Sequence, residues 1–111
     1  MIYEVNITER ALLDMRTIYE YIADKLMEPI IAEKQYTRIE KSVYSLNQMP
    51  ERFRRYEKEP WRSRNLRVMP IDNYIAYYIV DTEDHKESVV RIMYGRRDTE
   101  KELDAMVQQE N

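Results

Sequence analysis

Tyr3, Val5 and Ile7 alternate with Glu4 and Asn6, a period of two that predicts a short strand with one face turned inward. The period then lengthens. Leu12, Met15, Tyr19, Ile22 and Leu26 recur at spacings of three and four, which predicts an amphipathic helix over about residues 9 to 27. Thr8 is placed to cap it through its hydroxyl, and Glu9 suits the positive helix end. Glu28-Pro29 ends this helix and opens another, because proline disfavours helical geometry in the residue before it but fits a first turn. In the second helix Ala32, Tyr36, Ile39, Val43 and Leu46 line one face until Met49-Pro50 closes the segment. So short a joint makes the pair an antiparallel hairpin.

Residues 50–64 hold Pro50, Pro60 and a dense mix of charges without a period, which predicts an ordered, irregular connection. Three strand-like runs follow, Asn65 to Met69, Tyr74 to Val80 and Ser88 to Tyr94, joined by turns in a meander. The middle run is β-branched or aromatic at nearly every position, as a central strand buried on both faces requires. Strict alternation in the last run puts Val90, Ile92 and Tyr94 on one face and Val89, Arg91 and Met93 on the other. Arg91 then projects beside apolar neighbours, and one sheet face is expected to be partly open. Asp98 can cap a last short helix from Thr99 to about Val107, with only a modest apolar patch and a fraying tail beyond it. The order predicts one α+β domain over residues 1–111: an N-terminal strand, an α-helical hairpin packed on a four-stranded, largely antiparallel sheet, and a short C-terminal helix.

Composition narrows the chemistry. The chain contains no cysteine, so disulfides, thiolate metal sites and thiol nucleophiles are excluded. Its one glycine cannot build a P-loop or a dinucleotide-binding turn, both of which need several. Its one histidine, His85, sits in the acidic stretch Asp81 to Lys86, where it reads as a loop residue and cannot serve a serine triad or an imidazole zinc site. No cofactor and no metal are expected. No apolar run approaches the roughly 20 residues of a membrane-spanning helix, and the first ten residues lack a basic stretch followed by an apolar one, so a cytoplasmic location is expected.

The net charge of −3 conceals an asymmetry, for residues 51–80 carry seven bases against four acids while both flanks are acidic. Arg62, Arg64 and Arg67 lie at the start of one predicted strand and Arg91, Arg96 and Arg97 at the end of another. If those ends are neighbours, the guanidinium groups converge as an anion site, with Trp61 or Tyr94 available to stack on a base. Interleaved with Glu51, Glu57 and Glu59, they also read as a solvated, salt-bridged surface. Metal-free cleavage of RNA would need arginines to stabilise developing charge and a proton-transfer group such as Tyr94. Packing at a strand end accounts for Tyr94 equally well.

Glu59-Pro-Trp-Arg-Ser-Arg-Asn-Leu-Arg67, Asp72-Asn-Tyr-Ile-Ala-Tyr-Tyr78 and above all Val90-Arg-Ile-Met-Tyr-Gly-Arg-Arg-Asp98 carry a resemblance over nearly the whole chain. The sequence resembles the RelE/ParE superfamily of type II toxin–antitoxin toxins, of the plasmid-stabilisation type, and its Gly-Arg-Arg-Asp turn is similar to the ParE-like end. The resemblance implies a toxin held inactive by a cognate antitoxin that wraps the helical hairpin and sheet. A ParE-like member would poison DNA gyrase with no catalytic residue of its own. A RelE-like member would be an endoribonuclease acting on messenger RNA in the ribosome, its arginines falling at Arg64 or Arg67 and at Arg96 or Arg97. An inactive relative that only binds antitoxin is the third possibility. The late catalytic tyrosine or histidine of such nucleases has no counterpart after Arg97, which leaves Tyr94 as the substitute and favours the gyrase reading.

Overall fold

The computed structural model describes residues 2–109. Strand β1 (Glu4–Ile7) leads into helix α1 (Glu9–Glu20), whose last turn widens into a π-helical turn over Tyr21–Lys25. Helix α2 (Pro29–Tyr44) returns beside it and tightens into a 3-10 turn at Ser45–Asn47, with another at Pro50–Arg52. Strands β2 (Leu66–Ile71), β3 (Tyr74–Asp81) and β4 (Lys86–Tyr94) follow, then helix α3 (Thr99–Gln109). The sheet order is β1-β4-β3-β2, with β1 parallel to β4 and the other pairs antiparallel. This is the expected α+β architecture; the expectation of a fraying tail falls mainly beyond residue 109, outside the described residues.

Local chemistry sets the boundaries. The Thr8 hydroxyl accepts from the Ala11 amide at 3.2 Å, satisfying a donor that the first turn leaves free. Asp72, at φ 54°, turns the chain between β2 and β3. Gly95 closes the same end: its amide donates to the Asn73 carbonyl at 2.8 Å, and a Cβ there would stand 3.3 Å from that oxygen.

Each sheet face carries its own core. On the hairpin side Ala11, Met15, Ile39, Val43 and Leu46 pack on Met69, Ile71, Ala76, Tyr78, Val80, Val89 and Ile92. On the other side Trp61, Leu66, Val68, Tyr77 and Met93 are closed over by Leu103, with Met106 and Val107 packed alongside. The face expected to be partly open is therefore covered by α3, because Leu103, Met106 and Val107 recur at helical spacing and present one apolar edge.

Two further expectations are corrected. In α1 the inward side chains are Ala11, Asp14 and Met15, continued by Ile22, while Leu12, Leu13, Tyr19 and Leu26 are exposed. Apolar residues run round more than one side of this helix, so spacing alone could not choose the inward stripe. In β4 a bulge opposite Tyr77 and Tyr78 adds a residue and breaks the alternation. Val89 and Ile92 consequently share the hairpin-side core, while Val90 and Met93 share the other.

Candidate functional site

The basic loop is tied to the sheet edge. The Tyr56 amide donates to the Leu66 carbonyl at 2.8 Å and the Val68 amide to the Arg54 carbonyl at 3.1 Å, so residues 54–56 run along the start of β2. Arg67 holds the loop from beneath, donating to the carbonyls of Phe53 at 2.7 Å and Glu51 at 3.1 Å and pairing with the Glu51 carboxylate at 3.2 Å. Its guanidinium is largely spent within the fold. Arg62 and Arg64 are exposed, with the Arg64 guanidinium 5.2 Å from the centroid of the Trp61 ring. Trp61 itself is 2% exposed and belongs to the second core, so it has no free face for a base.

Arg91 is equally committed. Its Nε and Nη2 donate to the two carboxylate oxygens of Asp14 at 2.8 and 3.2 Å, and Nη1 reaches Glu102 at 3.4 Å. Asp14 also accepts from the Ile92 amide at 2.9 Å, where β1 has ended and the β4 edge needs an acceptor. Burial opposes the charge on Arg91, and the bonds and charges of Asp14 and Glu102 outweigh it. Glu102 is desolvated too, yet Arg91 and Arg97 hold its carboxyl below the usual range. Arg97 meets Glu102 at 2.7 Å. These bonds clamp α1, β4 and α3 together. Neither Trp61 nor Arg91 presents itself to a ligand, which corrects their reading as binding residues.

The two arginine groups also do not converge. Arg67 pairs in register with Tyr78, and Tyr94 with Tyr74, so the pairs stand four residues apart along β3. At ~3.3 Å per residue that is about 13 Å of strand. Arg67 thus lies on the edge strand β2 against the middle of β3, and Tyr94 on β4 against the start of β3. Tyr94 is 42% exposed and meets the Tyr74 ring edge-on at 5.8 Å between centroids. Arg96 is exposed on the turn beside it.

Two surfaces were not picked out residue by residue from the sequence. One is a groove of about 510 Å³ at the β2–β3 turn, lined by Phe53, Val68, Pro70, Tyr74 and Ile75 with Arg52 and Arg54 on its rim. The other is the outer side of the hairpin, where Leu12, Leu13, Tyr19, Tyr21, Leu26, Met27, Ile30 and Ile31 are all exposed. The doublets Leu12-Leu13 and Ile30-Ile31 are its sequence signal, since adjacent helical residues lie 100° apart and cannot both face one core. Exposed apolar side chains in this number give the hairpin the character of an interaction surface. Among the described residues no group of three or more His, Cys, Asp or Glu could hold a metal ion, and no helix is long and apolar enough to cross a membrane.

Comparison with known proteins adds lineage to this geometry. The chain is similar in structure to the chromosomal ParDE toxin–antitoxin system of P. aeruginosa, with a TM-score of 0.69 at 21% identity, covering 84% of this chain and 96% of that one. The RelBE2 toxin–antitoxin complex of Mycobacterium tuberculosis aligns at a TM-score of 0.62 and 17% identity, over 85% and 99% of the two chains. The archaeal RelE–RelB complex of Pyrococcus horikoshii OT3 aligns at 0.59 and 16% identity, over 87% and 99%. No curated protein matches the sequence. The family described as the ParE toxin of type II toxin–antitoxin systems, parDE, matches residues 5–99, from β1 through the Gly-Arg-Arg-Asp turn. This chain belongs to the ParE toxin family of type II toxin–antitoxin systems.

Proposed function

We propose that this toxin is neutralised by a cognate antitoxin seated on the apolar side of the hairpin, and that it inhibits growth by binding DNA gyrase and not by cutting RNA. The separation of the two arginine groups carries the second half of the reading. Metal-free phosphodiester cleavage needs a proton-transfer group and a charge-stabilising donor within hydrogen-bond reach of one phosphate. Tyr94 and Arg67 stand four register positions apart along β3, Arg91 is sealed, and the Arg67 guanidinium is bound to the Phe53 and Glu51 carbonyls and the Glu51 carboxylate. A ribosome-dependent mRNA endonuclease would have to work through Tyr94, Arg96 and Arg97 alone. The acidic C-terminal segment, five acids against one base over residues 98–111, also favours a protein surface over nucleic acid as its neighbour.

Purified toxin added to gyrase and supercoiled DNA is expected to halt supercoiling, while ribosome-bound mRNA stays intact. Cleavage of that mRNA, abolished by Arg96→Ala with Arg97→Ala, would overturn the reading. For the antitoxin face, Leu12→Glu and Ile31→Glu place charges on residues already exposed, so thermal stability should hardly move. Antitoxin affinity should fall at least about tenfold, as expected for an apolar contact at an interface centre. Unchanged affinity in both variants would move the antitoxin to another face.

A further inference from the structure

Glu87 lies on β4, between Val5 of β1 and Val80 of β3 in register, and is 1% exposed. Neither of its carboxyl oxygens has a hydrogen-bond partner, against the rule that buried polar atoms are satisfied. Two partners stand close enough to act on it and both are occupied. Tyr78, diagonal to it on the same face, donates its hydroxyl to the Pro50 carbonyl at 2.5 Å. Arg52, whose charge acts on Glu87, spreads its guanidinium over the carbonyls of Gln48 at 2.7 Å, Met49 at 3.3 Å and Ser45 at 3.4 Å, and over the Ser45 hydroxyl at 2.9 Å. Around Tyr78 stand Arg67 and Glu51 as well. On the β1 side the register neighbour is Val5, and Glu4 is exposed. Segment 45–52 is tied to β1 through the Tyr3 amide, 2.7 Å from the Asn47 carbonyl, and it supplies Arg52 to the rim of the groove.

We propose that Glu87 is a proton-operated latch on segment 45–52: neutral, it leaves Arg52 free to close the end of α2, and ionised, it draws Arg52 off those carbonyls and loosens the groove wall. Burial pushes the Glu87 carboxyl up to about 7, with Arg52 opposing, so the neutral form persists into the range where a cell operates. The latch is independent of the toxin's target.

The full chain, labelled for NMR, tests this between pH 5 and 8.5. The Glu87 carboxyl carbon should titrate with a midpoint near 7. Amide exchange, corrected for its intrinsic pH dependence, should report an opening equilibrium for residues 46–53 that grows about tenfold per pH unit up to the midpoint and then levels. Amides of α3 should show much less. Glu87→Gln should flatten the profile, and Arg52→Gln should raise the Glu87 midpoint by removing the cation that lowers it. A midpoint in the ordinary carboxylate range, an equal response in α3, or an unchanged profile in Glu87→Gln would overturn the latch. Should Glu87→Gln fail to fold, the shift of midpoint in Arg52→Gln decides alone, and no shift refutes the proposal.

Discussion

Asp14 ties helix α1 to strand β4. Its carboxylate answers both the Arg91 guanidinium and the Ile92 amide, and all three are buried. Asp14→Ala would leave the Arg91 charge without its main partner in a dry site, so a loss of about 3 to 5 kcal/mol of stability is expected in urea unfolding. Glu102→Ala removes a half-buried partner at 3.4 Å and should cost about 1 kcal/mol. Asp14→Leu combined with Arg91→Met should recover part of the loss, because an apolar pair replaces a buried ionic one without a stranded charge. Glu87 is expected to contribute a pH dependence to the fold's stability. Between 4.5 and about 7 the unfolded chain has lost the Glu87 proton and the folded chain keeps it, so stability falls as pH rises through that window. The fall attributable to this group is about 3 kcal/mol, and it should vanish in Glu87→Gln when melting is followed across the same range. Glu102, held low by its arginines, acts in the opposite sense at pH values below its ordinary range.

At the scale of elements, α3 is a lid on the second core and not a loose appendage. Leu103 is fully buried among Trp61, Leu66, Val68, Tyr77 and Met93, and Lys58 meets Glu100 at 2.6 Å on the rim. Leu103→Ala should cost about 3 kcal/mol, and amide exchange should rise first along α3 and the 53–64 loop. The exposed Lys58–Glu100 pair should contribute little, as surface pairs do. The strands were legible because β3 is apolar or aromatic almost throughout and its neighbours end in turn residues. Helix α2 was legible too, since Ala32, Ile39, Val43 and Leu46 form a single stripe. Helix α1 was not, because it carries a second apolar side, Leu12, Leu13 and Tyr19, that stays exposed. Arg91 and Trp61 misled for a related reason. A guanidinium that neutralises a buried carboxylate and an indole that fills a core have the same letters as a ligand site, and only the bulge in β4 and the fold of the 53–64 loop decide between them. Their partners Asp14 and Glu102 are 77 and 11 residues from Arg91, a pairing no local pattern contains.

For the whole molecule, the division of surfaces is the central feature. The hairpin offers apolar side chains, the 52–64 loop offers exposed cations and the C-terminal segment is acidic, so three chemically distinct faces point to protein partners on at least one side. On the proposed reading, toxicity comes from binding and not from turnover. The decisive measurement is to express the chain without its antitoxin in growing bacteria and follow thymidine and methionine incorporation in parallel through the first minutes. Gyrase as the target predicts that thymidine incorporation falls first while messenger RNA remains whole. A fall in methionine incorporation first, with messenger RNA cut in the ribosome, would contradict this account.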